Sequence, residues 1–126
     1  CTAAPSCAAP FNLDLGSAGC IYLHEEKMTF NEARLYCRIL GGDLASPAEL
    51  GPLRQYLLDN KEDDYWVGAM KTKGWFSGRP ILEEEWLPEE PNGSGDCVRL
   101  AKTHFLVADI RCDAAYKVVC GSIVYH

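Results

Sequence analysis

The chain has no Cys-x-x-Cys pair, although seven of its 126 residues are cysteine, so it lacks the spacing from which structural zinc sites are built. Basic charge is scarce: 12 Lys and Arg stand against 18 Asp and Glu, a formal net charge of −6. The basic residues do not cluster, which excludes a phosphate-binding surface and with it a nucleic-acid partner. No apolar run approaches the roughly 20 residues of a membrane-spanning helix, so no membrane span is expected. Internal repeats are lacking. His24, His104 and His126 are isolated, and no Ser, Asp or Cys stands at a catalytic spacing from them, so no enzyme is expected.

What is present is cysteine, at a density that points to an oxidising compartment. Seven cysteines, at positions 1, 7, 20, 37, 97, 112 and 120, are economically read as three disulfides and one remaining thiol. Cys1, at the terminus, is the candidate for that thiol and for a bridge to a second copy of the chain, a disulfide-linked homodimer. The alternative is that it competes with Cys7 for Cys20. The start at Cys1, without an initiating Met or an apolar leader, reads as a mature, processed, secreted product.

The length fits one domain with a real core. Residues 1–19, rich in Ala, Pro, Ser and Gly, read as a loosely structured N-terminal arm stapled by Cys7 and Cys20, and residues 20–126 as the folded domain. Cys20 to His24 is β-prone. Thr29 then caps a helix that places Phe30, Ala33, Cys37 and Leu40 on one apolar stripe and ends at Gly41-Gly42. A second helix is expected after Ser46-Pro47, with Ser46 as cap and Leu50, Leu53, Tyr56 and Leu57 inward.

Tyr65 to Ala69 reads as a compact buried strand, and residues 71–88 as a long loop punctuated by Gly74, Gly78, Pro80 and Pro88. On that loop Trp75 and Trp86, like Trp66 before it, are read as packing residues, Glu83-Glu84-Glu85 as a solvated acidic run, and Lys71, Lys73 and Arg79 as exposed basic groups. Three late strands follow, Cys97 to Ala101, His104 to Asp109 and Tyr116 to Cys120, with Phe105 and Val107 inward. Helices segregated from strands in sequence give an α+β fold, two helices with small antiparallel sheets and a long ligand-binding loop.

The chemistry concentrates between Glu85 and Cys112. Glu89, Glu90, Asn92, Asp96 and Asp109 set carboxylates and a carboxamide beside a turn of Pro, Asn and Gly. Hard oxygen donors of this kind suit calcium, which takes about six to eight oxygens at about 2.3–2.6 Å. Asn92-Gly93-Ser94 is also an N-glycosylation triplet, which the adjacent Pro91 makes a poor acceptor.

From Cys7 to Cys120 the chain resembles the C-type lectin-like domain. The resemblance is carried by Thr29-Phe-Asn-Glu-Ala-Arg-Leu-Tyr-Cys, Gly41-Gly-Asp-Leu-Ala-Ser, Trp66-Val-Gly, Trp75, Trp86, Glu90-Pro-Asn, Cys97-Val, Asp109-Ile-Arg-Cys and Val118-Val-Cys. It implies the pairs Cys37 to Cys120 and Cys97 to Cys112, with Cys7 to Cys20 as the extra N-terminal bridge of the long form. It implies a calcium ion, held by Glu90, Asn92, Asp96 and Asp109, to which two vicinal sugar hydroxyls bind. Acid and amide side chains suit that task because a carboxylate accepts from each hydroxyl and a carboxamide donates to it.

Glu90-Pro91-Asn92 is similar to the family's mannose-type signature, so the implied partners are mannose-like glycans on cell or microbial surfaces, as for a lectin of innate immunity. The family's Trp-Asn-Asp is here Val107-Ala108-Asp109, and the segment before Cys97 is short. About five protein oxygens then remain, and calcium affinity is expected in the extracellular range of about 10⁻⁴–10⁻³ M. The alternative is a calcium-independent domain of the same fold that binds a protein or another non-sugar ligand.

Overall fold

The computed structural model describes residues 7, 9–47, 49–88, 90, 93, 95–102 and 104–122. Cys1, Glu89, Asn92 and His126 lie outside the described residues. Two helices and one mixed sheet make up the fold, in the order β1 (Leu13–Asp14), β2 (Cys20–Met28), α1 (Phe30–Ile39), β3 (Gly42–Leu44), α2 (Gly51–Asn60), β4 (Tyr65–Met70), β5 (Gly74–Trp75), β6 (Cys97–Ala101), β7 (Leu106–Ile110) and β8 (Tyr116–Ser122).

The strands join into a single sheet of order β1-β2-β8-β4-β6-β7, with β3 also on β8 and β5 also on β4. Only the β4–β8 pairing is parallel among them, with Tyr65 opposite Lys117 and Trp66 opposite Val118. The α+β plan therefore stands, and the strands expected as small sheets are continuous with one another.

α1 forms where the sequence places it because its first turn is closed chemically. The Glu32 amide donates to Thr29 Oγ1 at 3.4 Å and Glu32 Oε1 accepts from the Thr29 amide at 3.0 Å, a reciprocal capping box. The helix turns Phe30, Ala33 and Cys37 into the core, and Gly41, at φ +102°, releases the chain into β3.

α2 departs from expectation. It starts at Gly51 with Pro52 in its first turn and no side-chain cap, while Ser46 Oγ instead accepts from the Ser77 amide at 2.8 Å, tying the chain ahead of α2 to the long loop. A Pro at the first turn removes a donor that has no partner there. Its inward residues are the expected ones, with Leu50, Leu53 and Leu57 buried and Tyr56 half-buried against the core.

Two apolar clusters fill the two sides of the sheet. One gathers Leu53, Leu57, Tyr65, Val67, Trp75, Leu100, Phe105 and Val107. The other gathers Phe11, Phe30, Cys37, Trp66, Val118 and Cys120 around the helix. Trp66 is fully buried, donates from Nε1 to the Met28 carbonyl at 2.7 Å and meets Phe30 edge-on at 5.3 Å. Phe11, in the stretch read as a loose arm, is itself buried, and Leu13–Asp14 pairs with β2. The three disulfides are Cys7–Cys20, Cys37–Cys120 and Cys97–Cys112.

The segment read as a long loop between β4 and β6 is built around a buried ion pair. Glu85 accepts from Arg79 Nη2 at 2.8 Å, Arg79 Nη1 at 3.0 Å, the Leu82 amide at 2.9 Å and Trp75 Nε1 at 3.1 Å. It is therefore a structural carboxylate, not part of a solvated run. Trp86 bridges to Val107, and the Leu87 amide donates to the Val107 carbonyl at 2.9 Å, so the loop returns alongside β7.

Candidate functional site

β6 and β7 run antiparallel with Val98 opposite Asp109 and Cys97 opposite Ile110. Alternation along β7 turns Val107 and Asp109 to one side of the strand and Ala108 to the other, and all three are buried. The Cys97–Cys112 disulfide, with Cα atoms 5.2 Å apart, ties the start of β6 to the end of β7. Gly95 lies so close to the backbone of Ile110 and Arg111 that a Cβ there would collide with it. The short segment before Cys97 is thus pressed flat against the strand end carrying Asp109.

Asp109 is the centre of this face. Its side chain has no exposed surface, and Oδ2 accepts from the Gly93 amide at 2.9 Å. Lys71 Nζ stands 3.8 Å from the same oxygen and keeps 26 % of its side-chain surface exposed. Lys71 follows the last residue of β4, and its amide donates to the Asp96 carbonyl at 2.9 Å. Its backbone is therefore fixed to the segment in front of Cys97.

The remaining expected residues are spread around this centre. Glu90 is half-buried, and its amide donates to the Leu87 carbonyl at 2.9 Å, which closes the turn at Pro88. Asp96 meets Lys71 through its backbone while its side chain is exposed. Among the described residues, no group of three or more His, Cys, Asp and Glu stands close enough to hold a metal ion; Asn92, the carboxamide of the expected set, lies outside the described residues. Ala108 contributes no side-chain oxygen, and the Asp109 carboxylate already faces an ammonium. Among the described residues alone, the oxygen donors fall short of a calcium centre while Lys71 faces Asp109.

The arrangement instead offers donors and acceptors. An ammonium has three N–H groups and no acceptor, and a carboxylate only accepts. A partly exposed Lys71 and an exposed Asp96, joined through their backbones, can thus satisfy hydroxyls in both directions. Lys71 was legible in the sequence only as one of three basic loop residues. Its approach to Asp109 depends on the pairing of β4 with β6, a long-range contact that leaves no local mark.

The family model for the lectin C-type domain matches residues 26–122. The chain belongs to this family. A lectin of the tunicate Polyandrocarpa misakiensis is 29 % identical over 115 residues, 79 % of this chain and 92 % of that protein. The type-2 ice-structuring protein of Brachyopsis segaliensis is 29 % identical over 120 residues, 89 % of this chain and 71 % of that one. The crystal structure of a calcium-independent type II antifreeze protein superposes with a TM-score of 0.76 at 28 % identity, covering 94 % of this chain and 95 % of that chain.

The C-type lectin domain described here is thus a non-enzymatic binding domain of a carbohydrate-binding family. Among the described residues, no helix is long and apolar enough to cross a membrane.

Proposed function

We propose that this domain is a secreted carbohydrate-recognition module that meets a mannose-type glycan at the face formed by Glu90, Asn92, Asp96 and Asp109, without a resident calcium ion. The observation that carries the reading is the fully covered Asp109 carboxylate, held by the Gly93 amide and faced by Lys71 at the end of the stapled β6–β7 pair. Calcium recognition through those four residues is what the family resemblance implies. The described side chains support the calcium-free form better, because the Asp109 carboxylate is covered and already faced by the Lys71 ammonium. The likeness to a protein whose structure is titled calcium-independent supports the same choice. Mannose as the sugar rests on the Glu90-Pro91-Asn92 run, and secretion on the three disulfides.

A second reading, a non-sugar ligand at the same face, is favoured by the match to an ice-structuring protein. A glycan array run with calcium and again with chelator separates them. Binding to mannose-terminated glycans that survives the chelator supports the first reading. Binding lost on chelation restores the calcium-dependent form, and no glycan binding in either condition leaves the second.

A further inference from the structure

We propose that Lys71 is the resident cation of the loop face, an ammonium that compensates Asp109 and keeps divalent cations out. The inference deepens the calcium-free reading above and rests on it for the importance of the face, though not for its own test.

A carboxylate with no exposed surface is costly to bury unless an opposite charge and hydrogen bonds meet it. At Asp109 the Gly93 amide provides a hydrogen bond and Lys71 Nζ, 3.8 Å from the same oxygen, provides the charge. The lysine is largely covered, with 26 % of its side-chain surface exposed. Its backbone is held to the Asp96 carbonyl, immediately after β4 ends at Met70 opposite Cys97. Its position is thus set by the same β4–β6 pairing that builds the site.

A calcium ion entering here would approach a carboxylate whose Oδ2 Lys71 already faces. It would bring like charge against the ammonium, with Ala108 supplying no side-chain oxygen in return. Two cations cannot share one buried carboxylate on these terms, so calcium binds only by displacing Lys71 into solvent. The side chain already has 26 % of its surface in contact with solvent, and its displacement would lower the apparent affinity for the ion.

The test is thermal unfolding of the wild type, Lys71→Met, Lys71→Arg and the double variant Lys71→Met/Asp109→Asn, each in EDTA and in millimolar calcium. A ligand that binds only the folded state raises its stability in proportion to the logarithm of its concentration over Kd.

Wild type and Lys71→Arg are expected to be unmoved by calcium. Lys71→Met should be less stable than wild type in EDTA and stabilised by calcium, with an apparent affinity at least about tenfold tighter than wild type. The double variant, with no charge to compensate, should again be indifferent. A Lys71→Met protein as stable as wild type in EDTA and equally unresponsive to calcium would overturn the proposal, as would a wild type that responds as strongly as the variant.

Should Lys71→Met fail to fold in EDTA, recovery of folded protein on refolding in calcium supports the proposal, and failure in both conditions overturns it. The readout uses calcium alone, so a negative glycan array leaves this result standing, and the reverse holds too.

Discussion

Glu85 shows how a single residue can look like surface and act as core. Burial alone would raise its carboxyl pKa, but hydrogen bonds from Arg79, the Leu82 amide and Trp75 outweigh that and hold it below the ordinary 4.5. A depressed carboxylate contributes stability that is fully present above the unfolded-state pKa and is lost as pH falls through 4.5 toward the folded value. Glu25 behaves likewise: burial opposes its ionisation, and hydrogen bonds from Lys117, Lys61 and Tyr65 overcome it. Stability should therefore decline on acidification below about pH 4.5, and Glu85→Gln should flatten that decline while costing about 2–3 kcal/mol at neutral pH. Urea unfolding of both proteins at several pH values checks this, and an unchanged pH profile would contradict it. Asp109 entered the candidate set through the Asp109-Ile-Arg-Cys motif, three residues before Cys112. The structural partners of Lys71 and Glu85 were not legible, because charged loop residues read as solvated until the fold supplies their partners.

The helices and the strand ends were partly written in local chemistry. Thr29 and Glu32 close a capping box, so α1 could be placed to the residue; Thr29→Ala should cost about 1 kcal/mol, measurable by the shift in a denaturation midpoint. The start of α2 was misplaced because Ser46, a good cap by type, is committed to the Ser77 amide in the folded chain. The length of β2 was underestimated for a related reason: Glu25, Glu26 and Lys27 are poor strand formers alone, yet they continue the strand that pairs with β8. The segment before Cys97 is a tighter case, because Gly95 abuts the backbone of Ile110 and Arg111. Gly95→Ala should cost about 1–3 kcal/mol and push the segment off β7, weakening ligand binding as well as stability. A variant that unfolds like wild type would show that the segment yields without cost.

The whole molecule is a sheet closed by cross-links of unequal reach. Cys37–Cys120 spans a sequence separation of 83, whereas Cys97–Cys112 spans 15. On the chain-entropy account the first stabilises by about 4.5 kcal/mol and the second by about 3 kcal/mol. Replacing Cys37 and Cys120 with Ala should thus lower the unfolding temperature more than replacing Cys97 and Cys112. The shorter bridge should matter more for ligand binding, since it closes the β6–β7 end. Differential scanning calorimetry and glycan binding on both double variants would show whether the two effects separate in this way. At this scale the α+β plan and the three pairings were legible through the ordered motifs from Thr29 to Cys120. The joining of all strands into one sheet was not, because it rests on the long-range β4–β8 pairing.

The most direct measurement is a titration of isotope-labelled protein with a mannose oligosaccharide in EDTA, followed by backbone amide shifts. The account predicts changes concentrated at Lys71, Gly93, Asp96 and Asp109, which meet at one end of the sheet. Shifts that arise only when calcium replaces the chelator, or that fall elsewhere on the domain, would contradict it.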